Sequence, residues 1–284
     1  MRNNQDRLSV AGGQDPPVPA IEQAQNNVST FSFATPTEFV ELPSQGELYP
    51  EGHPLKGIKT IEIRHMTAKD EDILTSQALI QSGVVLERLL QNVIVDKTIN
   101  IDDFLVGDKN ALLKACRQYG YGPLYEVEVR CPSCQSECAY EFDISKWKNK
   151  ECDIESSGIK KTENNTFLII LPFSGVDVEF RLMTSRDEKK MENIGERNKK
   201  LKLPESSATD FLKALIVSVN GYSDMASIFN FVESVPAMDA KILRSAYAAA
   251  TPDVESKNEF VCPKCSYCEV MEVPLSINFF WPEL

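Results

Sequence analysis

Two short cysteine motifs, CPSC and CPKC, constrain what this chain can fold into more than any other feature. They place Cys131 beside Cys134 and, 131 residues further on, Cys262 beside Cys265. The C-x-x-C spacing lets both sulfurs of one turn reach the same metal ion, and structural zinc takes four ligands in a tetrahedron. Because one motif supplies only two thiolates, the two motifs together predict one structural zinc ion bound by distant parts of the chain.

The use of cysteine agrees with a metal site in a reducing compartment. The chain has eight cysteines. Its start lacks the apolar centre of a signal peptide, and no apolar run approaches the roughly 18 residues of a membrane span, which predicts a cytoplasmic protein without a membrane partner. Paired cysteines there favour metal ligation over disulfides, with unmetallated thiols or a redox or iron–sulfur role as alternatives. Cys138 and Cys268, which follow the motifs closely, are interpreted as spectators.

The charge of the chain disfavours nucleic acid as a partner. With 30 Lys and Arg against 42 Asp and Glu, the formal net charge is -12 at pH 7. Such a field repels phosphate backbones and anionic membrane surfaces. The best candidate basic patch lies between Lys189 and Lys202, but Glu192 and Glu196 interleave with it as on a solvated helix face.

The composition and periodicity of the sequence change along the chain and predict four segments. Residues 1–35 are rich in Asn, Gln, Pro, Ser and Gly without any periodicity, which predicts a flexible tail. Segments 36–145 and 166–284 each pass from strands through helices to a hairpin at a cysteine motif. A charged connector, 146–165, joins them.

Local signals mark strands and helix starts within these segments. Ile61 and Ile63 alternate with polar residues, as a half-buried strand requires. Thr67 is a candidate helix N-cap, and the acidic residues that follow it complement the helix dipole. Apolar residues at helical spacing predict helices from Thr209 to about Ala250.

The two α+β segments also repeat each other. Residues 62–71 and 179–188 are identical at six of ten positions, with an offset of 117. A second offset of 131 relates Asp108 to Asp239 and the first cysteine motif to the second. We interpret this as an ancient duplication; the alternative is that two common strand-to-helix caps resemble each other. The predicted fold class is therefore α+β, with two tandem duplicated halves joined by one shared zinc-ribbon-like site.

Signatures of catalysis are lacking in the sequence. The chain has two histidines, His53 and His65, so few residues could act as a histidine general acid or base. A zinc ion with four cysteine ligands has no open position for water. No phosphate-binding glycine loop, nucleophile elbow or H-E-x-x-H motif occurs. The sequence predicts a structural zinc site in an interaction module, with no catalytic residues and no small-molecule substrate.

Three consecutive aromatic residues lie close to the end of the chain. Phe279, Phe280 and Trp281 cannot all face the same side of a strand. Either this end is buried on both faces or it docks on a partner. The second alternative makes these three residues candidate partner-binding residues.

Several motifs taken together resemble one known family. FVELPSQGELYPEGHPLKG, IRHMTAKDEDIL, the two cysteine turns and INFFWP resemble the baseplate proteins of T4-type contractile-tailed bacteriophages, specifically the small hub or hub-assembly family, over roughly residues 38–284. The resemblance implies a virion protein of the tail baseplate hub, made in the host cytoplasm. It also implies other tail proteins as partners and no catalytic activity. A zinc-ribbon transcription or nucleic-acid accessory protein is the alternative from a different class.

Overall fold

The computed structural model of the chain describes residues 35–150, 152–154, 157–202, 206–273, 275 and 277–280. The tail predicted at residues 1–35 lies outside this range except for its last residue, and so does Trp281. The described residues belong to one compact unit. Helices alternate with small sheets along it, which agrees with the predicted α+β class.

The strands form several small antiparallel sheets. Four strands make the largest, in the order β6-β7-β8-β9, and the others pair two by two as β1 with β2, β3 with β4, β5 with β10, and β11 with β12. The strands are β1 (Thr37–Glu41), β2 (Thr60–Arg64), β3 (Leu124–Arg130), β4 (Glu137–Asp143), β5 (Asn149–Lys150), β6 (Lys160–Lys161), β7 (Phe167–Ile170), β8 (Asp177–Phe180), β9 (Ile216–Val219), β10 (Asp253–Val254), β11 (Lys257–Val261) and β12 (Cys268–Glu272).

Helices separate the sheets, and each half ends with a helix that leads into a cysteine hairpin. No helix in the described part of the chain has the length and apolar character needed to cross a membrane. The helices are α1 (Ala68–Thr75), α2 (Gln77–Gln81), α3 (Val85–Val93), α4 (Val106–Tyr121), α5 (Ser185–Lys200), α6 (Ser207–Leu215), α7 (Met225–Ser234) and α8 (Ala237–Ala250).

Helix α1 begins after the predicted N-cap, Thr67. The Asp70 carboxylate accepts hydrogen bonds from the backbone N–H of Thr67 at 2.7 Å and from its hydroxyl at 2.9 Å. Arg64, at the end of β2, donates to both oxygens of the same carboxylate, at 2.7 and 2.9 Å. Asn92 in α3 adds a fourth donor group at 2.6 Å. One fully buried carboxylate therefore joins β2, α1 and α3.

The ionised form of Asp70 makes the stability of the fold depend on pH. Burial opposes ionisation, but the hydrogen bonds from Arg64, from the backbone N–H and hydroxyl of Thr67 and from Asn92 outweigh it and lower the pKa of Asp70 to about 2. The unfolded value is about 3.9, so the carboxylate contributes about 2 to 3 kcal/mol above about pH 4, which is lost as the pH falls through about 2. We expect urea denaturation to record this loss, and Asp70→Asn to flatten it. An unchanged pH slope in Asp70→Asn would contradict this assignment.

Helix α5 begins in the same way as α1. Thr184 is its N-cap, and the Asp187 carboxylate accepts from the backbone N–H and the hydroxyl of Thr184 at 3.1 and 2.9 Å. Arg181 donates to Asp187 at 2.6 Å. Arg64 and Arg181 also each donate to the carbonyl oxygen of the next residue, at 3.0 and 3.2 Å. The prediction that Thr67 stands at a helix start is confirmed, and Thr184, which the offset of 117 aligns with it, stands at a helix start as well.

Two buried aspartates tie α4 and α8 to the turn that precedes each half's second strand. Asp108 accepts from the backbone N–H of Ser44 at 2.9 Å, from its hydroxyl at 2.6 Å and from the Tyr49 hydroxyl at 2.6 Å. Asp239 accepts from the backbone N–H groups of residues 173–174, at 3.1 and 2.8 Å. Both aspartates are completely buried. The positions related by the offset of 131 therefore make similar contacts.

One stretch that was predicted to be helical contains a strand. Helical spacing predicted helices from Thr209 to about Ala250, whereas Ile216–Val219 forms β9 and pairs antiparallel with β8. Three of its four residues are β-branched, which favours extended backbone. The prediction was wrong at these residues because their partner strand lies more than thirty residues earlier in the sequence.

The two predicted segments, 36–145 and 166–284, meet along the starts of α4 and α5. The backbone at Leu105 forms an antiparallel bridge with Thr184, and the N–H of Val106 donates to the Met183 carbonyl at 3.2 Å. Buried apolar side chains of both halves belong to one core cluster. The residues predicted as a charged connector, 146–165, contain β5 and β6.

Candidate metal centre

The four predicted metal ligands lie together at one point of the structure. All four Sγ atoms are within 4.8 Å of one another. Sγ of Cys131 is 3.7 Å from that of Cys265, and Sγ of Cys134 is 3.7 Å from that of Cys262. Sulfurs bound tetrahedrally at about 2.3 Å from a metal stand about 3.8 Å apart. The four cysteines can therefore hold one metal ion, and no comparable group of ligands occurs elsewhere in the described residues.

The first motif occupies the turn between β3 and β4. The backbone N–H of Cys131 donates to the Ser136 carbonyl at 3.0 Å, which closes the hairpin. The N–H of Gln135 donates back to the Cys131 carbonyl at 2.9 Å. Gln135 adopts a φ of 60°, in the left-handed region, so the chain reverses within the motif. This turn directs both sulfurs to the same side.

The second motif repeats that turn between β11 and β12. The N–H of Cys262 donates to the Tyr267 carbonyl at 2.8 Å, and the N–H of Ser266 donates to the Cys262 carbonyl at 2.9 Å. Ser266 has a φ of 57°. Each hairpin thus presents its pair of sulfurs in the same local geometry, and the two pairs face each other.

The ligands differ in their exposure to solvent. Cys131 and Cys262 are completely buried or nearly so, whereas Cys134 and Cys265 are exposed. One cysteine of each turn therefore anchors the site to the core, and the other closes it on the solvent side. A bound ion would be reachable by a chelator from that side.

Hydrogen bonds favour the thiolate form at two of the sulfurs. Burial opposes ionisation of Cys262, but the backbone N–H groups of Cys265 and Lys264 outweigh it and lower the pKa of Cys262 to about 6. The Ser136 side chain and backbone lower the pKa of Cys134 as well. Because the thiolate is the form that binds metals, these contacts prepare the site for a cation.

The neighbouring thiols cannot all ionise without a cation. The backbone N–H of Tyr267 lowers the pKa of Cys265, but desolvation and the nearby sulfurs, with Cys262 the first among them, raise it to about 12. Four thiolates this close repel one another. A divalent metal ion bound by the four sulfurs would remove that repulsion, so the donor set is compatible with a metal ion.

Side chains outside the motifs hold the two hairpins together. The Tyr140 hydroxyl in β4 donates to the Glu259 carbonyl in β11 at 2.9 Å, and its ring packs edge-on against Phe260 at 5.0 Å. The Trp147 indole N–H donates to the Asn258 side chain at 3.0 Å. Sequence reasoning missed these contacts because nothing local pairs residues more than one hundred positions apart.

The described part of the aromatic end follows the burial alternative. Phe279 and Phe280 are 0% and 1% exposed. Arg117, itself buried, donates from Nε to the Phe279 carbonyl at 3.1 Å. The Phe279 ring stacks on Trp147 with centroids 5.8 Å apart. Both phenylalanine rings are therefore buried in this structure, and the third candidate, Trp281, lies outside the described residues.

Comparison with known proteins gives the family. A family model described as T4 bacteriophage base plate protein matches residues 35–281, which is most of the chain and includes both cysteine motifs. No curated protein and no solved structure matches the chain. The family match confirms the resemblance to T4-type baseplate proteins. The chain therefore belongs to the T4 bacteriophage base plate protein family.

Proposed function

We propose that this chain is a structural and assembly subunit of the hub region of a contractile phage tail baseplate. The observation that carries the proposal is the family match, which supports a structural role in the baseplate, a place in the virion tail and other tail proteins as partners. Synthesis and assembly in the host cytoplasm are part of the proposal. So are the absence of catalysis and of a small-molecule substrate.

The proposed metal is one structural zinc ion held by Cys131, Cys134, Cys262 and Cys265. Thiolates select zinc among the common divalent ions, and zinc accepts four sulfurs in a tetrahedron without redox chemistry. The 3.7 Å spacing of the sulfurs supports this geometry. Since each half supplies two ligands, the ion would staple the hairpins of both halves and close a loop of about 130 residues.

We also propose that the halves, 36–145 and 166–284, arose by duplication. Helices α1 and α5 start 117 residues apart, while α4 and α8 start 131 apart, as do β4 and β12. The Arg–Asp–Thr contacts at the starts of α1 and α5 agree with the first offset. The contacts of Asp108 and Asp239 agree with the second.

The experiment that tests the assembly role is to delete the gene from the phage that encodes it and examine the tails. We expect incomplete, non-infectious tails, rescue by the wild-type gene, and co-sedimentation of the tagged chain with wild-type baseplates in a fixed ratio. A density map of those tails would test the hub position. Complete, infectious tails without the gene would refute the assembly role. Co-purification with nucleic acid instead of tails would favour the zinc-ribbon accessory alternative.

A further inference from the structure

A groove of about 650 Å³, which none of the cysteines lines, runs beside strand β1. One face of α4 forms its floor, and residues 39–41 of β1, residue 145 and residues 147–150 form its walls. The floor residues are spaced as one helical face requires, and two of them are alanines. The floor residues are Ala111, Lys114, Ala115 and Gln118.

The wall formed by β1 is an unpaired strand edge. β1 belongs to a sheet of two strands and pairs with β2 alone. The N–H of Leu42 donates to the Lys59 carbonyl at 2.8 Å, which fixes which residues of β1 face β2. Because backbone groups alternate in direction along an antiparallel strand, Thr37, Phe39 and Glu41 direct their N–H and C=O groups toward the free edge. Such an edge is a ready template for another strand.

The opposite wall also contains the outer strand of a small sheet. β5 pairs with β10 alone, and both of its residues line the groove. The groove is therefore bordered by two sheet edges, with a floor of two alanines, a lysine and a glutamine between them. Phe39 is 68% exposed beside it, so a large aromatic face is available to an occupant. A small polar ligand would leave the backbone edge of β1 unused, whereas an extended polypeptide would pair with it.

The charge of the groove is opposite to that of the whole chain. Its lining contains three lysines, Lys114, Lys148 and Lys150, and one acid, Glu41, in a chain of net charge -12. The ammonium groups of Lys114 and Lys150 donate to backbone carbonyls at 2.6 and 2.5 Å. Each has three donors, so they remain able to bind carboxylates. The local charge favours an acidic occupant.

We propose that this groove binds an extended acidic segment of another polypeptide, which pairs with the free edge of β1. Backbone hydrogen bonds to β1 would supply the pairing, and the lysines would select acidic side chains. The identity of the partner rests on the proposed function: in a baseplate the segment belongs to a neighbouring subunit. The binding chemistry itself is independent of that assignment.

The binding test uses the full chain and labelled peptides of about ten residues, the length of a long strand. One set covers the other baseplate subunits of the same phage, and a model peptide alternates Glu with Thr, with a Lys–Thr peptide as its control. We expect fluorescence anisotropy to show binding of acidic peptides, weakened by salt, and no binding of the Lys–Thr peptide. If no acidic peptide binds, the proposal is wrong.

Matched variants locate the binding on the groove. Lys148→Glu with Lys150→Glu should weaken binding at least about tenfold, or about 1.4 kcal/mol. Lys241→Glu with Lys160→Glu makes the same charge change outside the lining and should leave affinity unchanged. Glu41→Pro removes an edge N–H and should also weaken binding about tenfold, while Glu41→Ala should not. Equal affinity in the lysine and proline variants would overturn the proposal.

Three further outcomes separate this proposal from self-association of the chain and from the proposed baseplate role. Self-association of the chain that Glu41→Pro abolishes would mean that a second copy, and not an acidic partner, occupies the edge. If the chain enters tails normally with both groove variants and no peptide binds, the groove proposal fails while the baseplate role stands. If the Glu–Thr peptide binds and the groove variants abolish that binding, but the chain never enters tails, the groove proposal stands and the baseplate role fails. Thermal melting of each variant shows whether it is folded. If Glu41→Pro does not fold, the affinity of the double variant Lys148→Glu with Lys150→Glu decides the test.

Discussion

Replacing Cys131 with serine should release the metal ion and lower the free energy of unfolding by at least about 5 kcal/mol. Structural zinc contributes about 10 to 16 kcal/mol of apparent binding free energy to small zinc domains, and that energy is coupled to folding. For a chain of this size, we expect the melting temperature to fall by about 10 to 20 °C. Chemical denaturation with metal analysis of the same samples measures both effects.

The controls for this prediction are the two spectator cysteines. Cys138 and Cys268 lie on the same hairpins but outside the sulfur cluster. Cys268→Ser changes an exposed thiol and should leave metal content and stability nearly unchanged. Because the ligands act as one unit, Cys131→Ser with Cys262→Ser should cost little more than either alone. A Cys131→Ser protein with full metal and full stability would refute the shared site.

Truncating Phe279 to alanine should destabilise the fold by about 3 to 5 kcal/mol, the usual cost of removing a fully buried phenylalanine. The ring is completely buried, stacks on Trp147 and lies 5.2 Å from the Tyr125 ring. Metal content should stay the same. Phe173→Ala is the matched control, since Phe173 is 64% exposed, and it should change stability by less than about 0.5 kcal/mol.

The same variant separates a core role from a partner role for the aromatic end. If Phe279→Ala keeps its full stability and yet fails to enter tails, Phe279 contacts a partner. That result would support the alternative in which the aromatic end docks on a partner. Loss of stability with retained metal identifies it as core. Phe279 and Phe280 are candidates for partner contact only in a state where the end leaves the core, so that role stays a prediction.

Features that depend on residues close together in the sequence were predictable. The cap at Thr67 and the matching cap at Thr184 depend on residues within a few positions, and the structure has both. Ile61 and Ile63 are buried in β2 as their alternation predicted. The convergence of the four cysteines was also predictable, because tetrahedral coordination requires partners that one motif lacks.

Features that depend on distant partners were not predictable in the same way. Asp108 and Asp239 were recognised as equivalent positions, but their backbone and hydroxyl donors lie 59 to 66 residues earlier. The burial of the aromatic end depends on Arg117, which precedes Phe279 by 162 residues and donates to its carbonyl. Likewise, β9 is a strand because β8 offers an edge, although its spacing also suits a helix. Pairing across such distances is decided by packing rather than by local propensity.

X-ray absorption at the zinc edge on the purified full chain, with the metal quantified against protein, tests the shared site most directly. We predict one zinc ion per chain, surrounded by four sulfur atoms at about 2.3 Å and no nitrogen or oxygen ligand. Two zinc ions per chain, or a single ion with fewer than four sulfurs, would contradict the conclusion that Cys131, Cys134, Cys262 and Cys265 form one site.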